Sequence, residues 1–274
     1  MISSLSMKID AFAKVNLTLE VFGLRPDGYH ALRSVVVPVS LCDTVEVEPA
    51  DELSSDSGYS DDLCLKAAKV LDPSRGARIH VVKRIPAGGG LGGGSADAAA
   101  VLIALNELWR LGHSRAELAE IGAQVGSDVP ALVTGGSVLM EGRGEKVAPI
   151  ECPRLNLVLC NPGVHTSTAE VYSVCKARDC ADTSVNDAMM SALHSGNLEK
   201  IAAAFANDLT AAACSLHPEI SEVISSLSAA GAIGVSMSGS GSTVFALVSG
   251  AERARELSAE MTAKGYASWP VVTR

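Results

Sequence analysis

Between Pro86 and Ala96 the chain reads Pro-Ala-Gly-Gly-Gly-Leu-Gly-Gly-Gly-Ser-Ala, with glycine at 88, 89, 90, 92, 93 and 94. Each glycine in a structured segment costs roughly 0.5–1 kcal/mol of chain entropy relative to alanine. So dense a run implies a backbone that must approach something closely. Bare amide N–H groups leading into a helix N-terminus form an anion cradle, through unsatisfied donors and the helix dipole. The anion that suits such a cradle best is a phosphate. A flexible linker is the alternative reading. Linkers, however, carry Ser, Pro and charge and join independent units, whereas this run joins a strand pattern directly to a helix pattern.

Other signatures are missing. No lysine follows Gly94, so the Walker A motif is absent. Gly88, Gly90 and Gly93 satisfy Gly-x-Gly-x-x-Gly, but a dinucleotide fold wants another strand and an acidic residue about 20 positions on. Here His113–Gly122 reads as a second helix. There is no Gly-x-Ser-x-Gly elbow for serine hydrolase chemistry and no His-Glu-x-x-His. Seven cysteines, at 42, 64, 152, 160, 175, 180 and 214, include no Cys-x-x-Cys pair. That pattern predicts reduced, mostly buried thiols and no structural metal site.

The elements that must position the loop are legible on either side of it. Ala77–Ile85 alternates as a strand, with Ile79, Val81 and Lys83 on one face, and Ser95–Leu111 reads as a helix with Leu102, Leu105, Leu108 and Trp109 at helical spacing. Upstream, Val15, Leu17, Leu19 and Val21 alternate with polar positions, which predicts a strand with one apolar face. Arg25-Pro26-Asp27-Gly28 is a turn signal, and Ser34–Leu41 and Thr44–Val47 read as two further strands. Asp61–Leu71 is helical in pattern, stopped by Asp72-Pro73. Ser137–Met140 and Lys146–Ala148 suggest a hairpin around Gly142-Arg143-Gly144.

A second unit begins near Glu151-Cys152-Pro153. Leu155–Cys160 reads as a buried strand, and Thr168–Lys176, Asn197–Phe205 and Pro218–Ala230 as helices. Gly231–Gly241 reads as a glycine-serine loop before the strand Thr243–Val248. Mixed helices and adjacent antiparallel strands predict an α+β architecture in two parts, 1–150 and 151–274. At 274 residues, about two domains is also the length expectation.

Composition narrows the setting. Hydrophobic residues make up 47% but aromatics only 4%, so Ala, Val and Leu must fill the core. A net charge of −9 argues against nucleic acid as the partner, so a phosphate site must be locally basic within an acidic protein. The longest apolar run, Ala98–Leu105, is far shorter than the roughly 18 residues of a membrane span. The opening residues lack a basic-then-apolar signal, which predicts a cytoplasmic protein. With no coiled-coil pattern or apolar patch, a monomer or weak homodimer is expected. Read in isolation, Lys14 is a solvated surface lysine. Asp128, between Ser127 and Val129-Pro130, is a helix N-cap.

Three segments taken together resemble the GHMP kinase superfamily, named for galactokinase, homoserine, mevalonate and phosphomevalonate kinases. They are Ala13-Lys14-Val15-Asn16-Leu17 with Arg25-Pro26-Asp27-Gly28-Tyr29-His30, the glycine loop, and Met237-Ser238-Gly239-Ser240-Gly241-Ser242-Thr243-Val244-Phe245. Gly126-Ser127-Asp128-Val129-Pro130 and Gly142-Arg143-Gly144-Glu145 belong to the same pattern. The resemblance runs from about residue 8 to the end. It implies a two-domain fold: a β-rich N-terminal ATP-binding domain, a C-terminal α/β domain and an active site in the cleft between them.

The same resemblance implies ATP-dependent transfer of a γ-phosphoryl group to a small-molecule alcohol, with Mg²⁺. Its finer details point to a cytidine diphosphate-linked methylerythritol as acceptor, phosphorylated on its tertiary 2-hydroxyl in the non-mevalonate isoprenoid route. Asp128 is implied as base and Lys14 as its cationic partner, a chemically sensible pair because an ammonium favours a neighbouring carboxylate's charged form and can face a transferring phosphoryl group. Asn16, two residues after Lys14 on the same strand face, suits a positioning hydrogen bond. Pro86, Ala87, Gly88, Gly89, Gly90, Leu91, Gly92, Gly93, Gly94, Ser95 and Ala96 are implied at ATP, with Lys83 a further nucleotide candidate. Tyr29 and Tyr172 are implied on two sides of the cytosine, with His30 at its edge, Thr168 as a polar contact, and Gly239 and Ser240 as a clamp.

Two departures from the family pattern matter. After the last glycine the family often runs Ser-Ser-Asn, and this chain has Ser95-Ala96-Asp97. Ser95 is then the remaining side-chain candidate for a phosphate or Mg²⁺ contact. Asp62-Leu63 stands where Asn-Leu is usual. Two other readings remain at this point: a kinase of a small alcohol of homoserine or mevalonate type, or a nucleotide-binding regulator without transfer. Tyr29-His30 and Tyr172 favour a nucleotide-sized acceptor over the first, and Lys14 with Asp128 favours catalysis over the second.

Overall fold

The computed structural model describes residues 6–58, 61–178 and 184–274; Cys180 lies outside them. In chain order the N-terminal elements are Met7–Asn16 (β1), Thr18–Leu24 (β2), His30–Pro49 (β3), Leu53–Ser55 (β4), Leu63–Leu71 (α1), Ala77–Val82 (β5), Gly93–Leu108 (α2), Arg115–Gly122 (α3), Val129–Thr134 (α4), Val138–Gly142 (β6) and Lys146–Pro149 (β7). Then come Asn156–Asn161 (β8), Thr168–Val174 (α5), Ser184–Ser195 (α6), Leu198–Ala203 (α7), Ala206–Asn207 (β9), Thr210–Leu216 (α8), Glu219–Ala229 (α9), Gly234–Met237 (β10), Val244–Val248 (β11), Ala251–Ala263 (α10) and Ala267–Val272 (β12). The mixture is α+β, in two sheets. An eight-stranded sheet runs β4-β5-β3-β2-β9, with β1 and β6 also on β3 and β7 on β6; the second runs β10-β11-β8-β12.

A long hairpin organises the first sheet. β1 and β2 form one line interrupted at Leu17, turn at residues 25–29, and pair antiparallel with β3 from Leu24↔His30 to Met7↔Val47. The two strands expected at 34–41 and 44–47 are therefore one, of 20 residues. Cys42 and Asp43 do not interrupt it because Phe12↔Cys42 and Ala11↔Asp43 stay in register, the irregularity being absorbed between Phe12 and Lys14. The expected one-sided apolar face also differs. Asn16, Thr18 and Glu20 are buried as deeply as Leu17 and Leu19. The C-terminal half covers the polar side: Thr18 Oγ1 donates to Asn186 Oδ1 at 2.6 Å, and Arg178 pairs with Glu20 at 3.3 Å.

α2 is buried all round over residues 96–102, which its alanines permit. Ala98, Ala99, Ala100, Leu102, Ala104 and Leu105 are all inside, in one core that also takes in Val35 and Val37 of β3 and Leu157, Leu159 and Phe245 of the second sheet. The helix begins at Gly93 rather than Ser95 and ends at Leu108 rather than Leu111, so two of the six loop glycines form its first turn. β5 stops at Val82, three residues short of the expected end. β10 lies inside the stretch expected to be loop, paired with β11 from Gly234↔Leu247 to Met237↔Val244. Pairing with an all-buried strand overrides its glycine content, and Gly234 leaves no Cβ to collide with Ala202. No helix among the described residues is long and apolar enough to cross a membrane. Of the described cysteines only Cys64 and Cys160 are fully buried, the other four being half-buried, so the thiols are free but less enclosed than expected.

Candidate active site

A cavity of about 1010 Å³ is at the upper end of small-molecule sites. Its wall includes Lys14, Asn16, Tyr29, His30, Lys83, Pro86, Ala87, the glycines from 88 to 94, Leu91, Ser95, Asp128, Thr168, Tyr172, Gly239 and Ser240. Ala96 is the exception among the loop residues expected there. One step along α2 turns its methyl away, into a second cavity of about 260 Å³ with Ala99, Ala100 and residues of β1.

The glycine loop is held by its carbonyls. Gly88 O accepts from Thr166 Oγ1 at 3.3 Å, Gly89 O from the Thr243 amide at 3.1 Å, Gly90 O from Ser238 Oγ at 2.9 Å, and Leu91 O from the Lys14 amide at 3.0 Å. The amides of Gly90, Gly92, Gly93 and Gly94 make no hydrogen bond to the described residues. Carbonyls turned into the protein and amides left over at a helix start create a cradle for an anion. The glycines are required partly by the protein itself. Gly90 has φ +73° and lies under the Ser238 carbonyl, where a Cβ would collide. Gly92, at φ +68°, would place a Cβ 3.1 Å from Lys14 Cε and 3.5 Å from Asp128 Oδ2.

Lys14 is not a surface lysine: only 3% of its side chain is exposed. Its ammonium donates to Asn16 Oδ1 at 2.6 Å and lies 3.4 Å from Asp128 Oδ2. Asn16 is fixed in turn by donation from Nδ2 to Ser34 Oγ at 2.8 Å. Asp128 occupies the cap position of α4 but its side chain makes no capping bond. The carboxylate faces Lys14 and the cavity instead. Gly239 closes the other side of the ammonium, since a Cβ there would sit 3.2 Å from Lys14 Nζ.

At the loop's other end, Lys83 bridges two carboxylates, Asp43 and Asp97, reaching Asp97 Oδ2 at 2.6 Å. Burial alone would lower the Lys83 ammonium, but these two bonds hold it above its ordinary range. Burial pushes the Asp97 carboxyl up to about 7, against the opposing pull of Lys83. Asp62 caps α1 through the amides of Cys64 and Leu65. Burial works against its ionisation, yet those amides and neighbouring hydroxyls hold its carboxyl below the usual range.

The aromatic end departs from a Tyr29–Tyr172 sandwich. Tyr172 lies against His30, with ring centroids 5.6 Å apart at 32°, while Tyr29 is 53% exposed with the Arg143 guanidinium 5.3 Å from its ring centre. The turn explains this. The Tyr29 amide is taken by Asp27 and its carbonyl by the Arg25 amide, so its ring projects outward while His30 starts β3 and points in. His30 Nδ1 lies 2.8 Å from the Phe22 carbonyl, which can only accept, so Nδ1 carries the proton. Thr168 Oγ1 and Ser240 Oγ are 2.9 Å apart, joining α5 to the β10–β11 loop.

Three useful residues escaped the reading of the sequence. Ser238 and Thr166 hold loop carbonyls, and only the fold brings them there. Arg143 borders the cavity with its Nη2 on the Ala123 carbonyl at 3.0 Å, and no carboxylate pairs with it among the described residues. The signal for Arg143 was present in Gly142-Arg143-Gly144-Glu145, where Glu145 accepts from the Arg143 amide.

The GHMP kinases N terminal domain matches residues 62–136 and the GHMP kinases C terminal domain residues 189–267. A 4-diphosphocytidyl-2-C-methyl-D-erythritol kinase of Pelotomaculum thermopropionicum is 42% identical over 262 residues, covering 91% of each chain. A crystal structure of 4-(cytidine 5'-diphospho)-2C-methyl-D-erythritol kinase superposes with TM-score 0.83 at 35% identity, over 97% of this chain and 99% of that one. The homoserine kinase of Cytophaga hutchinsonii shares the fold, with TM-score 0.74 at 21% identity over 98% and 94% of the two chains. The chain therefore belongs to the GHMP kinases, in the branch of the 4-diphosphocytidyl-2-C-methyl-D-erythritol kinases.

Proposed function

We propose that this protein transfers the γ-phosphoryl group of ATP to the 2-hydroxyl of 4-diphosphocytidyl-2-C-methyl-D-erythritol, giving the 2-phosphate and ADP. The observation that carries the reading is the adjacency of unpartnered glycine-loop amides and the Lys14–Asp128 pair within one cavity. The loop amides bind the triphosphate. The acceptor oxygen forms a bond to the γ-phosphorus as the bond to the bridging oxygen breaks, and ADP leaves. Asp128 orients the hydroxyl and receives its proton. Lys14 offsets the carboxylate's charge and faces the charge spreading over the transferring group, the electrostatic term that dominates such reactions. Asn16 holds Lys14 in line.

Mg²⁺ would neutralise the phosphates. Among the described residues no cluster of three His, Cys, Asp or Glu side chains could hold a metal ion. Mg²⁺ keeps several waters and leans on substrate phosphates; the Ser95 hydroxyl, at the start of α2 on the cavity wall, is the side chain placed to assist. Tyr172 and His30 take the cytosine, with Tyr29 and Arg143 closing over it or meeting the diphosphate. Thr168, Gly239 and Ser240 line the path between base and phosphates. We read residues 1–150 as the nucleotide-binding part and 151–274 as its C-terminal complement.

ADP release with MgATP and either 4-diphosphocytidyl-methylerythritol, homoserine, mevalonate or no acceptor tests the reading. Release selective for the cytidyl substrate is expected. Release only with a small alcohol would overturn the acceptor assignment.

A further inference from the structure

Asp43 does not border the cavity and is wholly buried at 0% exposure, yet it is tied to both ends of the glycine loop. It sits on β3 where the ladder to β5 stops. Thr44 still pairs with Val82; beyond that pair the Asp43 carboxylate replaces the strand as acceptor. Its Oδ1 takes the amides of Arg84 and Ile85, the latter at 2.8 Å. Its Oδ2 holds the Lys83 ammonium, and the same ammonium reaches Asp97 on α2. Residues 83–85 before the loop and Asp97 after it are thus pinned to one carboxylate.

A segment with six glycines in seven positions has many accessible conformations when its ends are loose. Anion binding by backbone amides is strong only when the amides are already aimed, because ordering them on binding would consume the gain. A buried carboxylate that loses its cation or hydrogen bonds is costly, so loosening any one of these pins is disfavoured.

We propose that Asp43 is a positioning residue for polyphosphate binding, acting through Lys83 and the Arg84 and Ile85 amides to hold the glycine loop with its own amides outward. The proposal rests on the reading of that loop as the triphosphate cradle. Lys83 is then a strut in the scaffold as well as part of the cavity wall.

Asp43→Asn tests it, since the side-chain amide still offers an oxygen to the two backbone amides but presents no negative charge to Lys83. Calorimetric affinities for adenosine, ADP and ATP would be measured on wild type and variant, beside kcat, KM and melting temperature. In the variant, affinity for ATP should fall roughly ten- to a hundredfold, as for a lost charge-assisted contact, with adenosine unchanged within about twofold. KM for ATP should rise more than kcat falls. A wild type that gains nothing from adenosine to ATP would overturn the cradle reading itself. A wild-type gain that survives in Asp43→Asn, an equal loss for adenosine and ATP, or a lower melting temperature with unchanged KM would overturn the role of Asp43. If Asp43→Asn does not fold, Asp97→Asn weakens the link from Lys83 to α2 while also taking a negative charge off the cavity wall, and a smaller phosphate-selective loss is expected despite that charge. Its absence would equally overturn the proposal.

Discussion

Lys14 Nζ stands 3.4 Å from Asp128 Oδ2, with the lysine 3% and the aspartate 27% exposed. The cation is sealed in the protein and the carboxylate opens to the cavity. The pair crosses the site, joining β1 to the start of α4, and Gly92 packs directly over it, where a Cβ would lie only 3.1 Å from the Lys14 stem.

Asp128→Asn should fold normally, since the side chain makes no capping bond to lose. Turnover should drop by about 10²–10⁴, the usual range for a proton-transfer group, while ATP affinity persists. A kcat near that of wild type in steady-state assays would remove Asp128 from the chemistry.

Gly92→Ala should reduce both stability and rate. Left-handed backbone costs an alanine about 1–2 kcal/mol, and its methyl would press on the Lys14 stem 3.1 Å away. Thermal melts and kcat should fall together, with KM for the acceptor little changed. Wild-type kcat in this variant would show that Lys14 is not sterically held by the loop.

Tyr29→Ala should raise KM for the cytidyl substrate several-fold, because aromatic stacking on a base contributes about 1–3 kcal/mol. KM for ATP should stay put. The exposed ring under Arg143 makes a loss of stability unnecessary. Equal changes in both KM values would take Tyr29 out of the base pocket.

Chelating Mg²⁺ should stop ADP release without unfolding the protein, because such an ion keeps several waters and leans on the nucleotide phosphates rather than on the fold. A melting curve with and without chelator separates the two effects. A drop in melting temperature in the absence of nucleotide would reveal a structural metal instead.

The single sequence carried the phosphate loop, its flanking strand and helix, and the motifs that resemble the GHMP kinases, because these are local: glycine density, alternation and helical spacing need no partner to be seen. Leu63–Leu71, the 138–149 hairpin and the three expected C-terminal helices, α5, α7 and α9, lie within a few residues of their expected bounds for the same reason, whereas α6, α8 and α10 were not anticipated. Partner-dependent features were hidden. The unity of β3 depends on a register with β1 and β5 that spans its polar middle. β10 exists because β11 pairs with it. Lys14 reads as a solvated lysine until residues from 16, 91, 128 and 239 enclose it. Asp97 looks unfavourable beside a triphosphate until Lys83 is seen bound to it. Charge, burial and hydrogen-bond partners are properties of the assembled neighbourhood, so the sequence determined which groups were present and the tertiary structure decided which of them meet.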